Sequence, residues 1–310
     1  MRRVALAVML WASPAIAGDL AFVTSQNAGM VTLVDLGSGR VLAQTPVAGK
    51  PAPVAYDPAA GRAYVIAAET GRLTVLDETG AVTASRDLGE GAFGLAAAAR
   101  GGLFVTDWFG ARLMRLDGDL RTVWKVQTGA APAGVAVSGD GRLVATADRD
   151  ADGISIFDAA TGTLIHRVGT AGPHPFGITW HDGRFWTADV QGDTVSVIDP
   201  VAGRLAGSVP TGSHPYAVAF AAGRGFVTNQ YDGTLTVFDP GSLAVLDEIP
   251  VGDYPEGISA LPDGDAVAVA NWDSDTLVIV DARSLTIVAE MPMPSGPRAF
   301  GQFTGRQASP

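Results

Sequence analysis

Val195-Ser-Val-Ile-Asp199, Leu235-Thr-Val-Phe-Asp239 and Leu277-Val-Ile-Val-Asp281 share one form: a β-branched or aliphatic run closed by Asp, then a turn. The form also stands upstream, as Val31-Thr-Leu-Val-Asp35, Leu73-Thr-Val-Leu-Asp77, Leu113-Met-Arg-Leu-Asp117 and Ile154-Ser-Ile-Phe-Asp158. Successive aspartates lie 42, 40, 41, 41, 40 and 42 residues apart. Chance does not hold seven copies so evenly, so the chain is an internal repeat. Within the last unit, Gly257 to Leu261, Ala266 to Ala270, Leu277 to Asp281 and Thr286 to Glu290 read as strands. Pro262-Asp-Gly264 and the Asn271 to Asp275 loop turn the chain between them. Four antiparallel strands repeated at about 41 residues predict an all-β, seven-bladed β-propeller.

The two ends fit a closed ring. Leu20-Ala-Phe-Val-Thr24 matches the second strand of a blade, and Arg298-Ala-Phe-Gly-Gln-Phe303 matches a first, innermost strand. The C-terminal strand is therefore expected to complete the N-terminal blade and leave no open sheet edge. Residues 18–310 then form one domain. Residues 1–17 read as a signal peptide: Arg2 and Arg3, an apolar run from Val4 to Trp11, and Ala15-Ile16-Ala17 before a cut at Gly18. That run is shorter than the roughly 20 residues a bilayer span needs. The expected location is periplasmic or secreted, without membrane insertion.

Without cysteine, disulfides, thiolate metal sites and a cysteine nucleophile are excluded. The formal charge is −11; loss of Arg2 and Arg3 leaves 19 basic against 32 acidic residues, or −13. Such a surface repels phosphate backbones, so no nucleic-acid partner is expected, and a cationic partner is easier to accommodate.

Phe226-Val-Thr-Asn229 followed by Gly233-Thr-Leu-Thr-Val-Phe-Asp239 resembles the YVTN repeat. So do Ala268-Val-Ala-Asn271 with Asp275-Thr-Leu-Val-Ile-Val-Asp281, and Pro255-Glu-Gly-Ile with Pro262-Asp-Gly264. The pattern is degenerate in the first three repeats, where Ala67 and Asp107 replace the motif Asn. The resemblance implies an exported seven-bladed propeller from a family that commonly binds partners and shares no catalytic centre. Similar propellers serve as cofactor-free subunits of periplasmic amine dehydrogenases and stand beside quinone-dependent oxidation systems. The fold by itself hosts many activities.

Equivalent positions across the repeats mark where a site could form. Before the entering proline, or its equivalent, stand Lys50, Gly91, Ala131, His174, His214, Tyr254 and Gly296. Two positions later stand Ala52, Phe93, Ala133, Phe176, Tyr216, Glu256 and Arg298. The turn after the second strand opens with Ser25, Ala67, Asp107, Asp148, Asp189, Asn229 and Asn271, an Asx series expected to cap that turn. One face should thus gather the ligand-binding candidates His174, Phe176, His214, Tyr216, Tyr254, Glu256 and Arg298. Trp108, Phe109, Tyr231 and Trp272 should stand on its loops as anchors for a partner or a cation. His174, His214 and Glu256 are the candidate ligands for a divalent metal, without the spacing of a known metal motif. Asp148-Arg-Asp-Ala-Asp-Gly153 resembles the start of a calcium loop but lacks the closing Glu, position 159 being Ala.

Three functions fit these residues. The first is a non-catalytic binding or scaffold propeller, monomeric unless part of a redox complex, holding a protein partner or small ligand. No cofactor is expected in it. The second is a metal-assisted hydrolase or lactonase with His174, His214 and Glu256 at the metal and Arg298 steadying an anion. The third is the cofactor-free propeller subunit of a periplasmic dehydrogenase.

Overall fold

The structure, a computed structural model, describes residues 18–98 and 101–307. The expected export signal at 1–17 lies outside these residues. Among them, 28 strands form seven four-stranded antiparallel sheets, and no helix is long and apolar enough to cross a membrane. The architecture is an all-β, seven-bladed propeller. Blades 2 to 7 each use four consecutive strands, and the first strands of neighbouring blades pack side by side around the axis. Blade 6 shows the plan with Pro215–Ala221, Arg224–Asn229, Thr234–Phe238 and Val245–Pro250. Its first three strands are largely buried, whereas the fourth is exposed along most of its length.

The repeating Asp closes each third strand by capping the turn that follows. Asp239 accepts hydrogen bonds from the backbone N–H of Ser242 (2.6 Å) and Gly241 (3.0 Å) and from the Ser242 hydroxyl (2.8 Å). These donors hold its carboxyl below the usual range, and Asp77, Asp158, Asp199 and Asp281 are held down by equivalent turns. A charged acceptor two to three residues before unpaired N–H groups is what such a turn requires. This is why the Asp recurs with the repeat.

In blades 1, 3 and 6 the threonine of the second strand stitches the blade to its neighbour. Thr228 donates to the Glu256 carbonyl of blade 7 (2.9 Å) and accepts from Ala217 N–H (3.1 Å). Thr24 and Thr106 donate to the carbonyls of Ala52 and Ala133 in their neighbouring blades (2.7 and 2.9 Å). Small residues on the inner strands allow the approach: a Cβ at Gly177 would lie 2.4 Å from the Tyr216 carbonyl oxygen of blade 6. Thr228→Val should cost about 1–3 kcal/mol, because it leaves Ala217 N–H and Glu256 C=O buried without their partner. Urea unfolding would measure this; a loss below a few tenths would show that the stitch contributes nothing.

Ring closure differs in detail from the sequence expectation. The strand that joins Asp19–Ser25 is Thr304–Arg306, with Leu20 opposite Gly305. Residues 298–303 instead cross between blades 1 and 2. Phe300 accepts from Val54 N–H (2.9 Å) and Gln302 from Tyr56 N–H (2.8 Å), while Phe303 accepts from Phe22 N–H (2.9 Å). Left-handed backbone at Ala299 (φ 43°) and Gly301 (φ 120°) makes the kink and carries Phe300 to the axis. The closing segment is thereby bonded to two blades.

Candidate functional site

The residues directly after each entering proline, or its equivalent, converge on the axis, as their equivalence requires. There they form a plug. Phe176 lies 4.6 Å from Tyr216 and 5.1 Å from Phe300 between ring centroids, and Phe93 lies 5.5 Å from Phe300 and 5.8 Å from Phe176. Trp108 closes the cluster edge-on to Phe93 at 5.7 Å, with the Arg149 guanidinium 5.7 Å from its ring. Phe176 and Tyr216 are therefore buried packing residues, not open ligand contacts.

Beside the plug sits a buried ion pair. Arg298 Nε lies 2.7 Å from Glu256 Oε2, with side-chain exposures of 20% and 4%. Gln230 Nε2 donates to Glu256 Oε1 (2.6 Å), and Arg298 Nη2 donates to the Tyr216 hydroxyl (2.5 Å). Arg298 Nη1 also reaches Gln26 Oε1 at 3.3 Å. Burial pushes the Glu256 carboxyl up, while Arg298 and Gln230 pull it back. Arg298, on the closing segment, thus ties together residues of blades 1, 6 and 7.

Outside this centre, a run of rings crosses the loops of blades 6 and 7. His214 stacks on Tyr231 at 3.8 Å and 19°, Tyr231 lies 5.5 Å from Tyr254, and Tyr254 lies 5.8 Å from Trp272. Tyr231 is 57% exposed. Burial and the adjacent Tyr231 push the Tyr254 hydroxyl up to about 12, so it stays neutral. His174, His214 and Tyr254 all hold left-handed backbone (φ 61°, 55° and 59°), where Gly91 and Gly296 stand in other blades. The N–H groups of His174 and His214 are caught by Asp152 and Asp193 of the preceding blades (2.9 Å each). Asp152, Asp193, Asp232, Asp253 and Asp273 are exposed on the same loops. Phe109 is 78% exposed on the blade 3 loop.

The candidate metal ligands do not assemble. Among the described residues, no three His, Asp and Glu side chains are placed to share an ion. His214 is committed to its stack and to Ser213 Oγ (3.0 Å), and Glu256 to Arg298 and Gln230. The calcium-like segment is a short 3-10 turn, Arg149–Ala151, and Asp148 faces inward. Asp148 accepts from Ser155 Oγ (2.5 Å), Thr146 Oγ1 (2.7 Å) and Gly129 N–H (2.9 Å). The other Asx residues are structural in the same way: Asn229 donates to Thr234 and Thr236 (2.9 Å each), and Asp189 accepts from Ser196, Thr194 and Gly172. These two pin the turn to the third strand through the hydroxyls of Thr194-Val-Ser196 and Thr234-Leu-Thr236.

No family model and no curated protein matches this sequence. Solved structures do. A functionally unknown protein from Desulfotomaculum acetoxidans DSM 771 superposes with TM-score 0.78 at 13% identity, over 94% of this chain and 99% of that one. Virginiamycin B lyase from Staphylococcus aureus gives TM-score 0.70 at 16% identity, over 82% and 92%. The dihydro-heme d1 dehydrogenase NirN, in complex with DHE, gives 0.66 at 19%, over 92% and 76%. The likeness is one of fold. At such identities it assigns no chemistry.

Two features escaped the sequence reading. Phe300 lies out of phase with the repeat because of the kink at Ala299 and Gly301. The second is a cavity of about 410 Å³ on the axis, beyond the plug, reached from the opposite face. Trp180, His181 and Phe220 of its lining sit at the first-strand ends of blades 5 and 6, as Tyr56 does in blade 2, whereas Ala97, Val137 and Ala260 stand at those ends in blades 3, 4 and 7.

Proposed function

We propose that this chain is a non-catalytic binding propeller whose entering-loop face holds a basic protein partner. The observation that carries the reading is the continuous run His214–Tyr231–Tyr254–Trp272 on the loops, with Tyr231 exposed, the other three rings half-buried, and exposed carboxylates around them. Large rings with few rotatable bonds lose little entropy on binding and are frequent interface anchors. Carboxylates around them attract Lys and Arg, and arginine planes stack on Tyr and Trp. The committed state of Glu256 and His214 favours binding over metal-assisted hydrolysis. An exported location, membership of the YVTN group and a setting beside a redox system are compatible with this reading.

The test uses wild type, Tyr231→Ala and Trp272→Ala as bait in extract of the source organism. A retained protein is identified by mass spectrometry, purified and titrated by calorimetry. The expected result is saturable binding that weakens with salt and drops tenfold or more in each variant at unchanged melting temperature. Equal affinity in all three proteins would overturn the assignment of this face.

A further inference from the structure

The axial cavity lies on the half of the ring away from the aromatic run, and its reading does not depend on the partner proposed above. It is blind. Phe300 forms its floor, packed against Phe176 and Tyr216, so it does not run through the ring. The walls are the inner strands from near their middles to their C-terminal ends, with Ala97, Ala136, Ala219 and Ala260 among them. No side chain fills the space, although larger apolar residues in place of these alanines would do so.

Its chemistry is unlike the rest of the molecule. Charged residues make up 17% of the chain, yet none of the residues that line the cavity is Asp, Glu, Lys or Arg. At the mouth, the His181 ring lies flat on Phe220 at 3.9 Å and 4°. Trp180 stands beside them, edge-on to Phe185 at 4.8 Å. Burial pushes the His181 imidazole below its ordinary value, so it is uncharged at neutral pH. Because each first strand is the inner edge of its sheet, backbone N–H and C=O groups look onto the axis. Gln302 adds a side-chain amide.

A volume of this size lies within the range of small-molecule sites, which pair apolar walls with a few polar groups. Flat rings fit the mouth, where aromatic planes already stack. A charged ligand would lose its hydration here without finding an opposite charge. We propose that the axial cavity is a binding site for a neutral, flat, largely apolar small molecule. Trp180 and the rim of the stacked Phe220–His181 pair border it at the mouth, and His181, Gln302 and the inner-strand edges meet its polar atoms.

N-phenyl-1-naphthylamine, a neutral flat fluorophore, is the probe. Wild-type protein should bind it saturably at about one per chain, with energy transfer from tryptophan that falls in Trp180→Phe. Ala97→Phe and Ala260→Phe each place a ring in the cavity and should weaken binding at least tenfold. The melting temperature of each shows whether it is folded; should both blockers unfold, the Trp180→Phe energy transfer locates the probe. The anionic 8-anilinonaphthalene-1-sulfonate should bind at least tenfold more weakly than the neutral probe. No saturable signal, or a signal untouched by folded blockers and by Trp180→Phe, would overturn the site. Equal binding of the anionic dye would overturn the ligand class.

Discussion

Arg298→Ala is expected to destabilise the protein by about 3–5 kcal/mol, the range for removing one partner of a buried ion pair. Alanine leaves Glu256, 3% exposed, with only Gln230 to satisfy its charge, and strips a cation from the Tyr216 hydroxyl. The position matters as much as the pair. Arg298 sits on the segment that closes the ring, so its loss loosens the contact of blade 1 with blades 6 and 7. Glu256→Gln should cost less, since its amide can still meet Gln230 and Tyr216 remains on Arg298. Combining Arg298→Met with Glu256→Leu should recover much of the loss, because no charge is then stranded. Urea unfolding followed by circular dichroism measures all four proteins. A loss below 1 kcal/mol for Arg298→Ala would show that the pair does not secure the closure.

Asp189→Asn should stabilise the protein above pH 7 and do little near pH 4. Burial lifts the Asp189 carboxyl from 3.8 to about 7, against hydrogen bonds from Ser196, Thr194 and Gly172 that pull it down. Its Oδ1 has no partner. A group whose folded-state pKa is raised contributes stability that is full below pH 3.8 and is lost as pH rises through about 7. The shift corresponds to at most about 4 kcal/mol, of which we expect about 1–3 to be recovered by the amide. Blades 6 and 7 already carry Asn229 and Asn271 at this position, bonded to the same type of Thr pair or strand. Asp148, buried and also raised, should add to the effect. The turn-capping aspartates act in the opposite sense: their depressed pKa values give stability that is lost as pH falls through the folded values. Wild-type stability should therefore decline from about pH 4 to 7, and the Asn variant should flatten that decline. Parallel pH profiles for the two proteins would contradict the assignment.

The seven aspartates could be read from the chain because each performs the same local task, capping a turn within its own blade. Equivalence also carried further. Residues directly after each entering proline, or its equivalent, had to meet on the axis, and Phe93, Phe176, Tyr216, Glu256 and Arg298 do. A repeat does not tell whether side chains that meet will line a hollow or fill it. Tyr216 and Phe176 fill it, because Phe300 arrives from the closing segment and completes their packing. That arrival depends on left-handed backbone at Ala299 and Gly301, which the repeat register does not contain. The grouping of His174 and His214 with Glu256 failed for a related reason: sharing a face does not bring side chains within coordination distance. His214 turns to Tyr231 and Glu256 to Arg298. The cavity near His181 was hidden because it arises from what seven inner strands leave empty.

The aromatic run around Tyr231 is proposed as the binding surface. The most direct measurement is the calorimetric titration of the purified partner against wild type, Tyr231→Ala and Trp272→Ala at low and high salt. At least tenfold weaker binding is expected in both variants, with a salt dependence that all three proteins share. Undiminished binding in the variants, or binding indifferent to salt, would contradict it.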